Sequence, residues 1–192
     1  VRQFSAQTHH LATSPMSLFT PNSTWFFEVR TLLSYLLKWV VITATVGALV
    51  GSASAFFLVS LDWVTETREA NSWLIALLPL GGLVVGLSYH YAGQDVVRGN
   101  NQIVEEFQQP RRIIPFKMAP LVLFGTLVTH LFGGSAGREG TAVQMGAAIA
   151  DQFTRAFRLR PRDRKLLLVA GVSAGFASVF GTPLAGMGFC LE

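Results

Sequence analysis

From Trp39 to Leu61 the chain carries no charged residue, and three further stretches share that property: Ala70–Gln94, Met118–Gly137 and Leu166–Leu191. A helix crosses the hydrocarbon of a bilayer with about 20 largely apolar residues, so the chain has the raw material for several spans. Trp39 and Trp63 bracket the first stretch, and Trp73 lies near the start of the second, as interfacial anchors do. Charged residues make up 14% of the chain, against about 25% in a soluble domain. That shortage argues against a soluble enzyme, a nucleic-acid binder and a disordered tail. The net charge of +4 does not alter this, because the basic residues bracket the apolar runs and form no single patch. One cysteine, Cys190, excludes an intrachain disulfide and a thiolate metal cluster. Neither a metal nor a cofactor is expected.

The charges between the runs predict an orientation. Arg30 and Lys38 precede the first run, whereas Asp62, Glu66 and Glu69 outweigh Arg68 after it. Arg98, Arg111, Arg112 and Lys117 follow the second, and RAFRLRPRDRK (155–165) is strongly basic. Cytoplasmic loops carry the Lys/Arg excess, which puts the N-terminus, 95–117 and 155–165 on that side, the last as a loop against an anionic leaflet. Met118–Gly137 then runs outward. The return, 138–153, has only about 15 residues, roughly 22 Å as helix, and is expected to start inside the membrane because it is too short to cross. Gly181-Thr182-Pro183 interrupts the last run, predicting two short helices that meet there. Residues 1–30 read as a polar N-terminal segment. Val1 stands first and Met16 is a candidate start, which would place 1–15 outside the native protein. No signal-peptide pattern is present. Glu192 follows an apolar run with no anchor or cap, and a cut chain is expected there.

Two glycine breaks carry the chemistry. Gly133-Gly134-Ser135-Ala136-Gly137-Arg138-Glu139-Gly140-Thr141 precedes a short amphiphilic helix. Charges at membrane depth cost about 2.5–3.5 kcal/mol each on insertion scales, so they face protein or water and mark function. Glu139 falls at a helix N-terminus, where unpaired N–H groups favour an anion. Its carboxylate is suited to fill an anion's place and to vacate it on protonation, which makes one residue both gate and proton carrier. Arg138 either attracts anions or pairs near Glu139. The second break, Gly99-Asn100-Asn101-Gln102-Ile103, opens a short segment closed by Pro110 and offers the Asn100 amide as a donor. Taken alone, it is ordinary turn and cap chemistry.

GREGT with the apolar helix after it, together with AGVSAGFASVFGTPLAGMGF (170–189), resembles the chloride channel (CLC) family of channels and proton-coupled antiporters over about residues 35–191. The resemblance implies an all-α polytopic membrane protein. Its fold would be two inverted halves per subunit with broken, re-entrant half-helices, and residues 31–192 would form the first half, truncated at its C-terminus. Glu139 matches the family's gating glutamate. The backbone of Gly137, Arg138, Gly140 and Thr141 matches the loop that lines the outer anion site, and Asn100 falls where chloride-selective members have the Ser of GSGIP. GNNQI in place of GSGIP, and Thr141 in place of Pro after GxEG, resemble the branch that exports fluoride in exchange for protons. Asn100 would bring N–H donors to a strongly hydrated anion, and Thr141 would restore a backbone N–H and add a hydroxyl. Fluoride export coupled to proton import is the implied function; a chloride channel or chloride/proton antiporter is the alternative. The implied partners are fluoride or chloride, protons, the lipid bilayer and a second copy in a homodimer, without nucleic acid, in a bacterial inner membrane with a cytoplasmic N-terminus.

Other features weigh less. Gly47/Gly51, Gly82/Gly86 and Gly171/Gly175 have the spacing of close helix packing. His90 and His130 lie inside apolar runs and read as helix–helix hydrogen bonders before proton relays. Gly133–Gly137 also fits G-x-S-x-G, which makes an intramembrane serine hydrolase with Ser135 as nucleophile a distant rival. No histidine follows Ser135 in the chain to serve as its base.

Overall fold

A computed structural model describes residues 23–191, with side chains described for 28–188. The expectations for residues 1–15, Met16 and Glu192 lie outside this range, as does the side chain of Cys190. Every regular element among the described residues is helical. They are α1 (Ser23–Ala70), a 3-10 turn (Ser72–Leu77), α2 (Leu78–Ala92), α3 (Asn100–Gln108), α4 (Met118–Leu131), α5 (Arg138–Ala156), α6 (Pro161–Phe180) and α7 (Pro183–Leu191). The chain divides into two units, 1–38 and 39–192. In the first, the described residues are helical, with Leu32, Leu33, Leu36 and Leu37 exposed. The packing and the site described below concern the second unit.

Among the described residues, two helices are long and apolar enough to cross a membrane, Glu28–Ala70 and Ser72–Ala92. Val40, Val41, Phe56 and Val59 on one, and Leu80, Leu83, Val84 and Leu87 on the other, stand exposed as lipid-facing side chains do. Hydroxyls on α1 turn back to carbonyls of their own helix, Thr43 to Trp39 at 2.8 Å and Ser52 to Ala48 at 2.7 Å. In an apolar medium that bond is the nearest remedy for an otherwise unpaired donor.

The lengths of α4 and α5 depart from expectation. The uncharged run from Met118 continues to Gly137, but α4 stops at Leu131 after 14 residues, about 21 Å of helix. Gly133, at φ 80°, ends it. Conversely α5 has 19 residues, about 28 Å, because nothing in Gln152–Ala156 breaks a helix. The short member of this pair is therefore α4, and the return is the longer helix. The break at 181–183 forms as expected, with Gly181 at φ 65° ending α6 and Pro183 opening α7, but the two helices are not both short: α6 has 20 residues because it starts at Pro161 within the basic segment, ahead of the apolar run.

The main core joins Phe57 and Leu61 of α1 to Ile103 of α3, Met118 and Val122 of α4, Met145 and Ala148 of α5 and Leu168 of α6. A second cluster packs Ile42, Val46 and Val50 against Ala150 and Leu167. The closest packing is α5 on α6. A Cβ on Gly146 would fall 3.0 Å from the carbonyl carbon of Gly171, and one on Gly171 would fall 2.6 Å from the Gly146 oxygen. The spacing at Gly171/Gly175 thus packs helices as read. The spacings at Gly47/Gly51 and Gly82/Gly86 do not do so within this chain, since added Cβ atoms there meet nothing within 4 Å.

Candidate functional site

The start of α5 follows from its sequence. Gly137 is its N-cap in extended geometry (φ −73°, ψ 115°) and has no side chain with which to cap the first turn. The leading N–H groups of a helix have no acceptor within it, so this end presents donors and the positive end of the dipole. Glu139 is the acid of that first turn. Its Oε2 lies 3.6 Å from where a Gly137 Cβ would stand, so the carboxylate curls back over the helix start. Arg138 Nε reaches Glu139 Oε1 at 3.9 Å, with both side chains about half exposed. At that separation and exposure the pair is a weak tether.

The start of α3 is built alike. Its N-cap, Gly99, sits at φ 52°, a conformation side chains resist, and likewise offers no cap. A Cβ at Gly99 would meet the Gln144 amide of α5 at 3.3 Å, and one at Gly140 would meet Asn100 Nδ2 at 3.4 Å. Two uncapped N-termini thus meet, and the structure brings together Asn100, Gly137, Arg138, Glu139 and Gly140.

Thr141 is placed differently from its expected role. It is buried, and its hydroxyl donates to the Gly137 carbonyl at 3.2 Å while lying 2.7 Å from Thr126 Oγ1 of α4. Its N–H also turns to the Gly137 carbonyl, at 3.4 Å. The hydroxyl expected to serve an anion is committed to helix packing. His130 departs too, since its Nδ1 bonds the Thr126 carbonyl of its own helix at 2.9 Å and not a second helix. His90 is exposed and meets Tyr91 edge-on, with centroids 5.2 Å apart.

One cluster escaped the sequence reading. Arg164, counted among loop charges, is buried and donates to both Asp151 oxygens at 2.8 and 2.7 Å, to Glu106 at 3.1 Å and to the Arg112 carbonyl at 2.6 Å. Glu106 in turn accepts the N–H groups of Arg111 and Arg112, and Asp151 accepts that of Ile114 at 2.8 Å. Side chains thereby satisfy backbone donors of the irregular segment between α3 and α4. The same bonds tie α3 to α5 and α6, fixing where Asn100 stands. A usable signal existed: Asp151 is the lone acid between Glu139 and Asp163, and it directly follows the small apolar run Gly146-Ala147-Ala148-Ile149-Ala150. An acid in such a setting calls for a partner.

A cavity of about 440 Å³ opens beside Glu139, between Asp62 and Thr65 of α1, His130 and Arg138. A smaller one of about 200 Å³ has His130 and Ser135 in its wall with Arg68. His130 keeps its bond to Thr126, and among the described residues Ser135 forms no hydrogen bond with a histidine. Ser135 also lies in an irregular segment between two helices, not at a strand-to-helix elbow.

Residues 81–192 match the family described as voltage gated chloride channel. The chain is 58% identical over 165 residues to a "Chloride/fluoride channel protein" of Pseudomonas syringae pv. tomato, covering 86% of this chain and 36% of that relative. It is 32% identical over 165 residues to an "H(+)/Cl(-) exchange transporter ClcA" of Vibrio vulnificus, covering 79% of this chain and 35% of the relative. The crystal structure of a CLC-type fluoride/proton antiporter aligns with TM-score 0.75 and 37% identity, over 79% of this chain and 38% of that one. The chain thus spans about a third of the length of the curated relatives it matches. It belongs to the voltage gated chloride channel (CLC) family, a family of membrane channels and transporters and not of enzymes.

Proposed function

We propose that the protein exports fluoride in exchange for protons, with residues 31–192 forming the first half of an inverted-repeat transmembrane domain. The observation that carries this reading is the meeting of two uncapped helix N-termini at Asn100 and Gly140, with the Glu139 carboxylate folded over one of them. The N-terminal donors of α3 and α5 and the Asn100 amide supply N–H groups to an anion stripped of its water. Glu139, when ionised, takes that place itself. On protonation it loses its attraction to the dipole and swings away, and the anion enters; loss of the proton returns it. One carboxyl thereby couples the two fluxes.

The relatives' printed names support the substrates: chloride/fluoride at 58% identity and fluoride/proton in the aligned structure. Chloride/proton exchange is the second reading, favoured by the Vibrio relative at 32%. In this reading the protein is a homodimer in a bacterial inner membrane, its N-terminus and the 95–117 and 155–165 segments cytoplasmic and the cavity beside Glu139 facing outward. In liposomes containing the full-length protein, a fluoride gradient is expected to drive proton uptake, and Glu139→Gln is expected to abolish it. Proton uptake that survives the substitution overturns the role of Glu139. Chloride release as fast as fluoride release gives the protein to the second reading.

A further inference from the structure

The larger cavity gathers more titratable chemistry than one gate requires. Asp62, His130, Arg138 and Glu139 all stand in its wall, contributed by α1, α4 and α5. His130 is also in the wall of the smaller cavity with Arg68 and Ser135. The charged groups around the imidazole are thus Asp62 and Arg68 from α1, the latter bonded to Glu69 at 3.3 Å, and Arg138 and Glu139 from α5. Its own helix presents the Thr126 carbonyl, and the 133–135 segment presents the Ser135 hydroxyl.

We propose that His130 loads the proton onto Glu139 from the outer solution, across this shared cavity. The inference rests on Glu139 being the proton carrier. The bond from Nδ1 to the Thr126 carbonyl, 2.9 Å, settles the ring's chemistry. A carbonyl oxygen only accepts, so Nδ1 carries the hydrogen and Nε2 carries the lone pair that takes up a proton. The cavity, about 440 Å³, has room for a chain of waters at about 30 Å³ each between the ring and the carboxylate. Hydronium is scarce near neutral pH, so direct protonation of a carboxylate is slow. An imidazole nitrogen with a free lone pair takes up and passes on protons as a general acid and base, and it bridges the two.

The transfer balances. Hydronium gives a proton to Nε2 and becomes water, and the Asp62 carboxylate stabilises the resulting imidazolium. The Nε2–H bond then breaks as an O–H bond forms on Glu139, the proton passing through intervening water. The ring returns to neutral, and the carboxyl becomes neutral and is released from the anion's place.

The test uses the full-length protein in liposomes, with fluoride-driven proton uptake as the readout. His130→Asn places an amide nitrogen where Nδ1 stands, keeping the bond to Thr126 while removing Nε2 and its lone pair. Uptake is expected to slow about tenfold at an outer pH of about 7.5 and to be nearly unchanged at about pH 5, where hydronium serves directly. Imidazole added outside is expected to restore the rate, with the fluoride-to-proton ratio unaltered. Asp62→Asn, which leaves α4 untouched, is expected to slow uptake in the same sense, at about pH 7.5 and not at about pH 5, by a smaller factor. A rate unchanged by both substitutions, or a loss equal at the two pH values and not restored by imidazole, overturns the proposal. Glu139→Gln measured alongside separates the failures. If it retains coupling, the gating role falls; if it abolishes coupling while His130→Asn does nothing, only the role of His130 falls.

Discussion

Asn100 and Gly140 are in contact: a Cβ on Gly140 would stand 3.4 Å from Asn100 Nδ2. The amide of α3 therefore lies against the first turn of α5, among the N–H groups that have no acceptor in their own helix. A side chain in that position adds a donor to a site otherwise built from backbone.

Replacing Asn100 by Leu keeps bulk and removes the donor. Hydrogen bonds to charged groups are worth about 1.5–3 kcal/mol, so fluoride affinity is expected to fall by about 10- to 100-fold. Isothermal titration of the full-length protein with fluoride measures this. Unchanged affinity would remove Asn100 from the anion site.

Thr141→Val separates two roles for one hydroxyl. The structure commits that hydroxyl to Gly137 and Thr126. The substitution leaves the buried Thr126 hydroxyl without this partner, at a cost of about 1–3 kcal/mol in stability. Fluoride affinity by the same titration is expected to be unchanged while the unfolding temperature drops. Lost affinity at unchanged stability would return the hydroxyl to the anion.

What could be read in advance was local. The Gly137 and Gly99 breaks, the Gly181–Pro183 interruption and the acid at 139 are announced by residues whose backbone or charge preferences act where they stand. Helix lengths were less legible, because an uncharged run does not end where its helix ends. Gly133 stops α4 inside one such run, and α5 continues past Phe153 with nothing to break it. Asp151 signals a buried partner, but which basic residue it draws in was illegible for a different reason. Six basic residues crowd 155–165, and only the arrival of Asp151 and Glu106 from other helices singles one out.

That network gives a third prediction. Arg164→Leu leaves Asp151 buried and unpaired, a loss of about 3–5 kcal/mol, whereas Arg164→Leu with Asp151→Leu removes both charges and is expected to recover part of it. Denaturant unfolding of the detergent-solubilised protein reads the difference. Full recovery is not expected, because Ile114 N–H and Glu106 would still lose partners. If the single variant is as stable as the parent, the cluster does not hold α3, α5 and α6 together.

Glycines of like spacing should differ sharply when given a methyl group. At Gly171 an added Cβ would stand 2.6 Å from the Gly146 carbonyl oxygen, and the atoms it meets belong to backbone and to the short side chain of Ala150. Neither can rotate away, so Gly171→Ala forces α5 and α6 apart. Overpacking of this kind costs about 1–3 kcal/mol. At Gly47 an added Cβ meets nothing within 4 Å, and Ala is the better helix former by about 1 kcal/mol. Gly171→Ala is therefore expected to lower the unfolding temperature and Gly47→Ala to hold or raise it. Equal effects would mean that α5 and α6 do not pack through their glycines.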